Sequence, residues 1–126
     1  MSVVLDSSAV LAMLLHEPGG DRVRSALDSA AISAVNLSEV YAKSVEKALD
    51  VEAVRKAFSA LSINVVPFGD AHAFIAGKLR EQTRAYGLSL GDRACLATAI
   101  LERRGVLTAD KAWLNLRLDI EITSIR

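Results

Sequence analysis

The sequence lacks the features of a secreted or membrane protein. It has a single cysteine, Cys95, so no disulfide can form within the chain, which suits a reducing compartment. Its longest apolar run, Ala9 to Leu15, is far shorter than the ~20 residues that span a bilayer. The segment before Asp6 has neither the basic start nor the long apolar stretch of a signal peptide. We therefore expect a soluble, cytoplasmic protein that makes no membrane contact.

The sequence also carries no net charge. Fifteen basic residues balance fifteen acidic ones, so the overall charge does not indicate a nucleic-acid-binding protein, and any such role needs a local site. The chain has 126 residues, 52% of them apolar. Because this length suits one compact domain with a continuous core, we expect a single domain over residues 1–126. Repeats, linkers and low-complexity segments are absent from the sequence.

Short apolar runs alternate with segments of helical periodicity. The predicted strands are Val3–Leu5, Ala31–Val35, Ile63–Pro67, Val106–Thr108 and Ile120–Thr123. The predicted helices cover about 8–16, 21–29, 36–49, 50–61, 70–86 and 90–101, with Gly87 and Gly105 ending the last two. Strands separated by helices predict an α/β sandwich with a mainly parallel sheet. In such sheets, ligands bind at the carboxyl ends of the strands.

Four acids fall at strand ends or helix starts. Asp6 and Asp110 follow predicted strands, whereas Glu39 and Asp92 fall in the first turns of predicted helices. Asp6 favours a functional role, because a carboxylate between an apolar strand and an apolar helix is costly unless it is paired or bound to metal. Asp92, which heads an apolar helix, favours the same interpretation.

Each acid also has a purely structural interpretation. The segments 36–39 and 89–92 both resemble capping boxes, and Asp6 and Asp110 suit the N-cap positions of the elements that follow them. Taken alone, Glu39 favours a capping or solvent-exposed role. The two interpretations are compatible, since helix N-termini carry partial positive charge and can hold carboxylates close together.

If the four acids converge, they restrict the metal ion that the site can bind and the reaction that it can catalyse. The two histidines, His16 and His72, have no partner at metal-ligand spacing. Clustered carboxylates without histidine or cysteine select Mg²⁺ or Mn²⁺ rather than zinc. Such ions orient phosphates, polarise the scissile bond and activate water, so phosphodiester hydrolysis is the natural reaction.

Four segments, in this order and at these spacings, resemble the PIN domain and, more closely, the VapC-type toxins of bacterial toxin–antitoxin pairs. They are Val4-Leu5-Asp6-Ser7-Ser8-Ala9, Asn36-Leu37-Ser38-Glu39-Val40, the segment from Leu88 to Ala99, and the segment from Val106 to Trp113. The resemblance spans almost the whole chain. It implies a PIN-like three-layer α/β sandwich, with a mainly parallel sheet of about four to five strands flanked by helices.

The resemblance also implies a function. It implies a Mg²⁺- or Mn²⁺-dependent endoribonuclease that acts on RNA, forms a homodimer and is blocked by a cognate antitoxin. Its catalytic and metal-binding positions fall on Asp6, Glu39, Asp92 and Asp110, and its supporting hydroxyl positions fall on Ser7 and Thr108. Many relatives have a further acid two residues after Asp110, where this chain has Ala112. We therefore expect one bound metal rather than two.

The remaining motifs favour ordinary structural roles. Cys95 and Trp113 are expected in the core, and solvated or ion-paired roles are favoured for three cations that could touch RNA, Lys43, Arg93 and Lys111. The apolar stripe of the helix 50–61, which includes Val54 and Phe58, fits either the core or an antitoxin groove.

Two other phosphate-handling enzymes fit the sequence less well. A haloacid-dehalogenase-like phosphatase needs an acid where Ser8 stands, and a response-regulator receiver needs an aspartate ending the strand 63–67. The alternative of another class is a PIN-fold scaffold or an RNA- or protein-binding module without catalysis.

Overall fold

The computed structural model describes residues 2–126. Its strands are β1 Val3–Leu5, β2 Ala30–Ser33, β3 Asn64–Val66, β4 Gly105–Thr108 and β5 Ile122–Ser124. Its helices are α1 Ser7–Leu14, α2 Gly20–Arg24, α3 Ala34–Glu46, α4 Val51–Ser59, α5 Asp70–Lys78, α6 Arg80–Thr83 and α7 Leu90–Glu102. Short 3₁₀ turns cover Leu27–Ser29, Arg84–Tyr86 and Lys111–Asn115. Within the described part of the chain, no helix is both long and apolar enough to cross a bilayer.

The five strands form one sheet in the order β3-β2-β1-β4-β5, and every neighbouring pair is parallel. The first strand therefore lies in the middle, with Val4 opposite Ala31 on one side and Val106 on the other. Parallel pairing brings the carboxyl ends of β1, β2 and β4 to the same edge of the sheet. The predicted α/β class and parallel sheet are confirmed.

Successive residues of β1 face two separate cores, because strand side chains alternate between the faces of a sheet. Val3 and Leu5 belong to a core that includes residues of α1, Val40 of α3 and Phe58 of α4. Val4 belongs to a second core, which includes residues of α5 and α7. Both faces of the sheet are therefore covered, which gives the predicted three-layer sandwich.

The start of α3 differs from the prediction. The strand ends at Ser33 rather than Val35, and Ser33 caps the helix by accepting a hydrogen bond from the Val35 N–H at 3.2 Å. Asn36 consequently lies inside the first turn of α3. The predicted capping box over 36–39 is therefore wrong, because the helix has begun before Asn36.

Three other boundaries also differ. The predicted helix over 70–86 is divided into α5, α6 and a 3₁₀ turn, although it ends as predicted at Gly87, which has a left-handed φ of 66°. The end of α7 is at Arg103, which adopts φ 55°, and Gly105 instead begins β4. The prediction that Gly105 stops this helix is wrong. The helix predicted over 21–29 ends at Arg24.

Candidate active site

Asp6 lies directly after β1, at the carboxyl edge of the sheet. Its backbone N–H donates to the Leu107 carbonyl at 3.0 Å, and its side chain is only 4% exposed. The carboxylate oxygen Oδ2 accepts hydrogen bonds from Ser8 Oγ at 2.6 Å and Thr108 Oγ1 at 3.0 Å. The other oxygen, Oδ1, is buried and has no hydrogen-bond partner among residues 2–126. One half of this carboxylate is therefore held in place, and the other half is left unsatisfied.

The surroundings of Asp6 raise its pKa from 3.8 to about 6. Burial is the largest cause, and the hydrogen bond from Ser8 opposes it by lowering the pKa. The negative charge of Asp92 raises the pKa further, Thr108 lowers it through its hydrogen bond, and the charge of Glu39 also raises it. Asp92 and Glu39 are therefore close enough to act on Asp6 electrostatically.

Asp92 lies in the first turn of α7 and is half-buried. It forms the predicted capping box with Ser89: its Oδ2 accepts from the Ser89 N–H at 2.9 Å, and its own N–H donates to Ser89 Oγ at 3.2 Å. Cys95 lies three residues further along the helix and is fully buried, as expected. Burial raises the pKa of the Cys95 thiol, and the charges of Asp6, Asp92 and Glu39 raise it further.

Glu39 lies on α3 and points to the start of α7. Its Oε1 accepts a hydrogen bond from Asn36 Nδ2 at 2.9 Å. The same amide nitrogen donates to the Gly91 carbonyl at 2.9 Å. A Cβ atom at Gly91 would lie 2.5 Å from Cδ of Glu39, so the carboxylate occupies space that only a glycine leaves open.

Asp110 is placed differently from the other three acids. It is exposed, and its Oδ1 accepts from the Ala112 N–H at 3.0 Å, so it caps the 3₁₀ turn that follows β4. Its N–H donates to Thr108 Oγ1 at 3.0 Å, which connects it to Asp6 through one hydroxyl. Within the described chain, its charge is not among those that raise the pKa of Asp6. The structure thus places Glu39 and Asp92 within electrostatic reach of Asp6 and leaves Asp110 exposed at the rim.

Ser8, rather than the predicted Ser7, is the serine that contacts the Asp6 carboxylate. Ser7 is buried, but within residues 2–126 its side chain has no hydrogen bond to Asp6. Ser8 Oγ donates to Asp6 and accepts from the Ala109 N–H at 2.9 Å. Asn36 and Gly91 were also missed as parts of the site. Two signals could have found them: a polar residue in an apolar helical turn, and a glycine inside a helix.

The residues suit a hard cation by chemistry, although they do not form a ready-made cage. Within the described part of the chain, no three histidine, cysteine, aspartate or glutamate side chains are grouped closely enough to hold a metal ion. The buried, unpartnered Oδ1 of Asp6 and the charges of Glu39 and Asp92 nevertheless fit an oxygen-coordinated cation. Such an ion would satisfy Oδ1 and offset the mutual repulsion of the carboxylates, so the residues fit Mg²⁺ or Mn²⁺.

A cleft of about 500 Å³ opens beside Ser8 and Ala109. Its wall includes two exposed lysines of the α3 segment, Lys43 and Lys47, which follow Glu39 at intervals of four residues. Residues at this spacing share one face of a helix. The lysines therefore continue the line of Glu39 away from the acids. Arg93, which like Lys43 was predicted as a candidate for RNA contact, instead donates to the Ala76 carbonyl at 2.9 Å and joins α7 to α5.

The PIN-domain model matches residues 3–117, so the chain belongs to the PIN-domain family. This confirms the family resemblance and sets aside the phosphatase and receiver alternatives. In a sequence comparison, no curated protein matches the chain.

Solved structures from toxin–antitoxin systems share the fold over the full length of the chain. A chain of a toxin–antitoxin complex from Klebsiella pneumoniae is 21% identical, with a TM-score of 0.75, and the match covers 99% of this chain and 98% of that one. A chain of DNA-bound VapBC from Salmonella typhimurium is 19% identical, with a TM-score of 0.76, covering 100% and 99%. A chain of a VapBC-family system from Mycobacterium tuberculosis is 24% identical, with a TM-score of 0.65, covering 100% and 99%.

Proposed function

We propose that this protein is a Mg²⁺- or Mn²⁺-dependent endoribonuclease that hydrolyses RNA phosphodiester bonds and is the toxin of a toxin–antitoxin pair. PIN domains are generally nucleases. The observation that carries the proposal is the state of Asp6, which is buried, half-unsatisfied and repelled by Asp92 and Glu39. A carboxylate in this state is destabilising unless a cation neutralises it.

The proposed roles follow from the contacts. Asp6, Glu39 and Asp92 would hold the cation. Ser8 and Thr108 hold Oδ2 of Asp6, which leaves Oδ1 as the free ligand atom. When bound, the metal would orient the scissile phosphate, polarise it and lower the pKa of water.

Asp110 is proposed as a fourth, outer acid. It lies at the rim, and no acid follows it at position 112, so we propose one resident cation rather than two. Asp110 would act after a side-chain rotation that releases the Ala112 N–H.

The proposed RNA path uses the cleft beside Ser8 and Ala109, whose lining carries three basic side chains, Lys43, Lys47 and Arg126, and two acidic ones, Glu17 and Glu46. Lys43 and Lys47 line it next to Ser8, where their ammonium groups can meet phosphates that flank the scissile one. Lysine contacts of this kind position a nucleic acid and carry no sequence information. Because the chain as a whole has no net charge, these lysines would supply the attraction for RNA locally.

The proposed antitoxin site is a separate apolar groove. It has a volume of about 250 Å³ and lies between the end of α1, at Leu14 and Leu15, and the face of α4 that carries Val54 and Ala57. The apolar stripe of α4 belongs mostly to the core, since Phe58 is buried. Val54 contributes both to the core and to the groove. The structures that share the fold include toxin–antitoxin complexes, which supports an antitoxin as the partner here.

Self-association and location are also proposed. Phe74 and Leu90 are 65% and 56% exposed. Formation of a homodimer would cover such exposed apolar side chains. A cytoplasmic location agrees with the single buried, free Cys95.

The central experiment is a metal-dependent RNA cleavage assay. Asp6→Asn and Asp92→Asn should each lower cleavage by about a hundredfold or more, because losing a ligand charge removes several kcal/mol of transition-state stabilisation. Asp119→Asn is the matched control, since this acid is exposed and lies just before β5, at the other edge of the sheet. Far-UV circular dichroism should stay native in all three variants.

Two outcomes would count against the proposal. Full activity in both site variants would place the chemistry elsewhere. A wild-type protein that cleaves no RNA with Mg²⁺ or Mn²⁺ and does not slow bacterial growth would favour a non-catalytic PIN scaffold or binding module.

A further inference from the structure

We propose that Asn36 is a positioning residue that fixes Glu39 against the start of α7. The Glu39 and Asp92 carboxylates would then bind the cation in a fixed mutual orientation. This inference rests on the proposed function and extends it. Asn36 lies one helical turn before Glu39 and would not itself touch the metal or the RNA.

The contacts of Asn36 leave its amide only one orientation. The side chain is fully buried. Its Nδ2 donates to Glu39 Oε1 and to the Gly91 carbonyl, both at 2.9 Å, and so uses both of its hydrogens. A flipped amide would turn its own oxygen toward two acceptors. The two bonds therefore join α3 to α7 through one residue.

Gly91 is the other half of this arrangement. It lies inside α7, where alanine would favour the helix more than glycine does. Its missing side chain makes room for the Glu39 carboxylate, since a Cβ there would lie 2.5 Å from Cδ of Glu39. Gly91 thus lowers the stability of α7 at the position where the Glu39 carboxylate packs against the helix.

Asn36 contributes less to stability than its burial suggests. Its Oδ1 is buried and lacks a hydrogen-bond partner among the described residues, and an unsatisfied buried acceptor is unfavourable. The Gly91 carbonyl lies in an α-helix and can be satisfied by the N–H four residues on. A leucine at position 36 should therefore be tolerated by the fold while releasing Glu39.

The test measures Mn²⁺ affinity by titration calorimetry on the metal-free protein. Asn36→Leu should weaken Mn²⁺ binding by about 10- to 100-fold, as the loss of a residue that orients a ligand does. Gly91→Ala should weaken it similarly while raising the melting temperature or leaving it unchanged. Ser44→Ala is the control, because Ser44 is buried on the same helix and its hydroxyl, among residues 2–126, bonds only the Val40 carbonyl, at 2.8 Å.

A second measurement separates positioning from general damage. In the cleavage assay, saturating Mn²⁺ should restore most of the turnover of Asn36→Leu but not that of Asp6→Asn. Wild-type Mn²⁺ affinity in both Asn36→Leu and Gly91→Ala, alongside binding that Asp6→Asn abolishes, would overturn the positioning role and leave the proposed function standing. A wild-type protein that binds no Mn²⁺ would overturn both.

Discussion

The two oxygens of Asp6 have opposite surroundings. Oδ2 accepts two hydrogen bonds from hydroxyl groups, whereas Oδ1 is buried with no partner among residues 2–126. A hydroxyl oxygen can also accept a hydrogen bond from a protonated carboxyl group, so Ser8 and Thr108 can accommodate either protonation state. This residue can therefore exist in the metal-free fold as a neutral acid and, in the proposed metal-bound site, as an anion.

The raised pKa of Asp6 predicts an unusual pH dependence of stability. The pKa rises from 3.8 to about 6 on folding, so the native state binds the proton more tightly than the unfolded state. Stability from this group is present below about pH 4 and is lost as the pH rises to about 6, by about 3 kcal/mol. Urea unfolding in EDTA, at several pH values between 4 and 7.5, should show this loss in the wild type, and Asp6→Asn should remove it.

The same titration has the opposite effect on metal binding. A cation competes with the proton for Asp6, so the stabilisation by Mn²⁺ should grow as the pH rises through about 6. An identical pH slope in the wild type and in Asp6→Asn would show that another group titrates.

At the residue scale, the sequence allowed prediction of those residues whose placement follows from their position relative to a strand. Asp6 was identified because it follows a buried strand and precedes an apolar helix. Ser8 was missed in favour of Ser7, which the family resemblance implied, because the sequence does not show which hydroxyl of the first turn of α1 faces the N-cap acid. Asn36 was misinterpreted as a cap because α3 begins earlier, after Ser33.

At the scale of elements, the start of α7 has two functions. Ser89 and Asp92 cap the helix through reciprocal hydrogen bonds, and Asp92 also contributes its charge to the acids around Asp6. The partial positive charge of a helix N-terminus offsets some of the repulsion among these acids. The cap and the charge can be separated by mutation.

Two variants should separate them. Ser89→Ala should lower the free energy of unfolding by about 1 kcal/mol and keep the wild-type response to Mn²⁺. Asp92→Asn retains an oxygen that can accept from Ser89 and loses the repulsion with Asp6, so it should melt higher than the wild type in EDTA. With Mn²⁺ at about 100 times its dissociation constant, the wild type should gain roughly 10 °C and Asp92→Asn much less.

Scanning fluorimetry in EDTA and then in Mn²⁺ measures both effects. If Mn²⁺ shifts all three proteins equally, Asp92 is only a capping residue, and the metal site does not include it.

Element boundaries were the least predictable part of the fold. The order and type of the main elements follow from apolar periodicity, but their ends depend on single residues. Arg103 ends α7 in a left-handed conformation although it is not a glycine, so Gly105 is free to begin β4. Ser33 similarly begins α3 early.

At the scale of the whole molecule, alternation of strands and helices was enough to predict a parallel sheet with its acids at one edge. The strand order was not predictable, because each pairing depends on side chains distant in sequence. Within α4, Phe58 is buried in the core that includes α1, whereas Ala53 and Ala57 remain exposed beside α1.

If the protein is a toxin as proposed, the groove beside α1 predicts a variant that escapes the proposed antitoxin. Ala57→Glu places a charge in this groove at an exposed position, so the fold and the growth arrest expected of a toxin should be unchanged. Co-expression of the proposed antitoxin should rescue growth in the wild type and fail to do so in Ala57→Glu. Arg55→Glu, exposed on the same helix but outside the groove, is the control.

Equal rescue of the three proteins would place the antitoxin elsewhere. Loss of growth arrest in Ala57→Glu itself would instead indicate that the substitution unfolds the protein.

The central position of β1 has a consequence for the timing of synthesis. One neighbour, β2, begins at residue 30, but the other, β4, begins at residue 105. At roughly 5–20 residues per second, translation of the chain between them takes about 4–15 s. Throughout that interval, Asp6 has been made but Thr108 and the strand that carries it have not. A ribosome must therefore reach residue 108 before the chain can complete the surroundings of Asp6, and a product released before that point lacks the strand that carries Thr108.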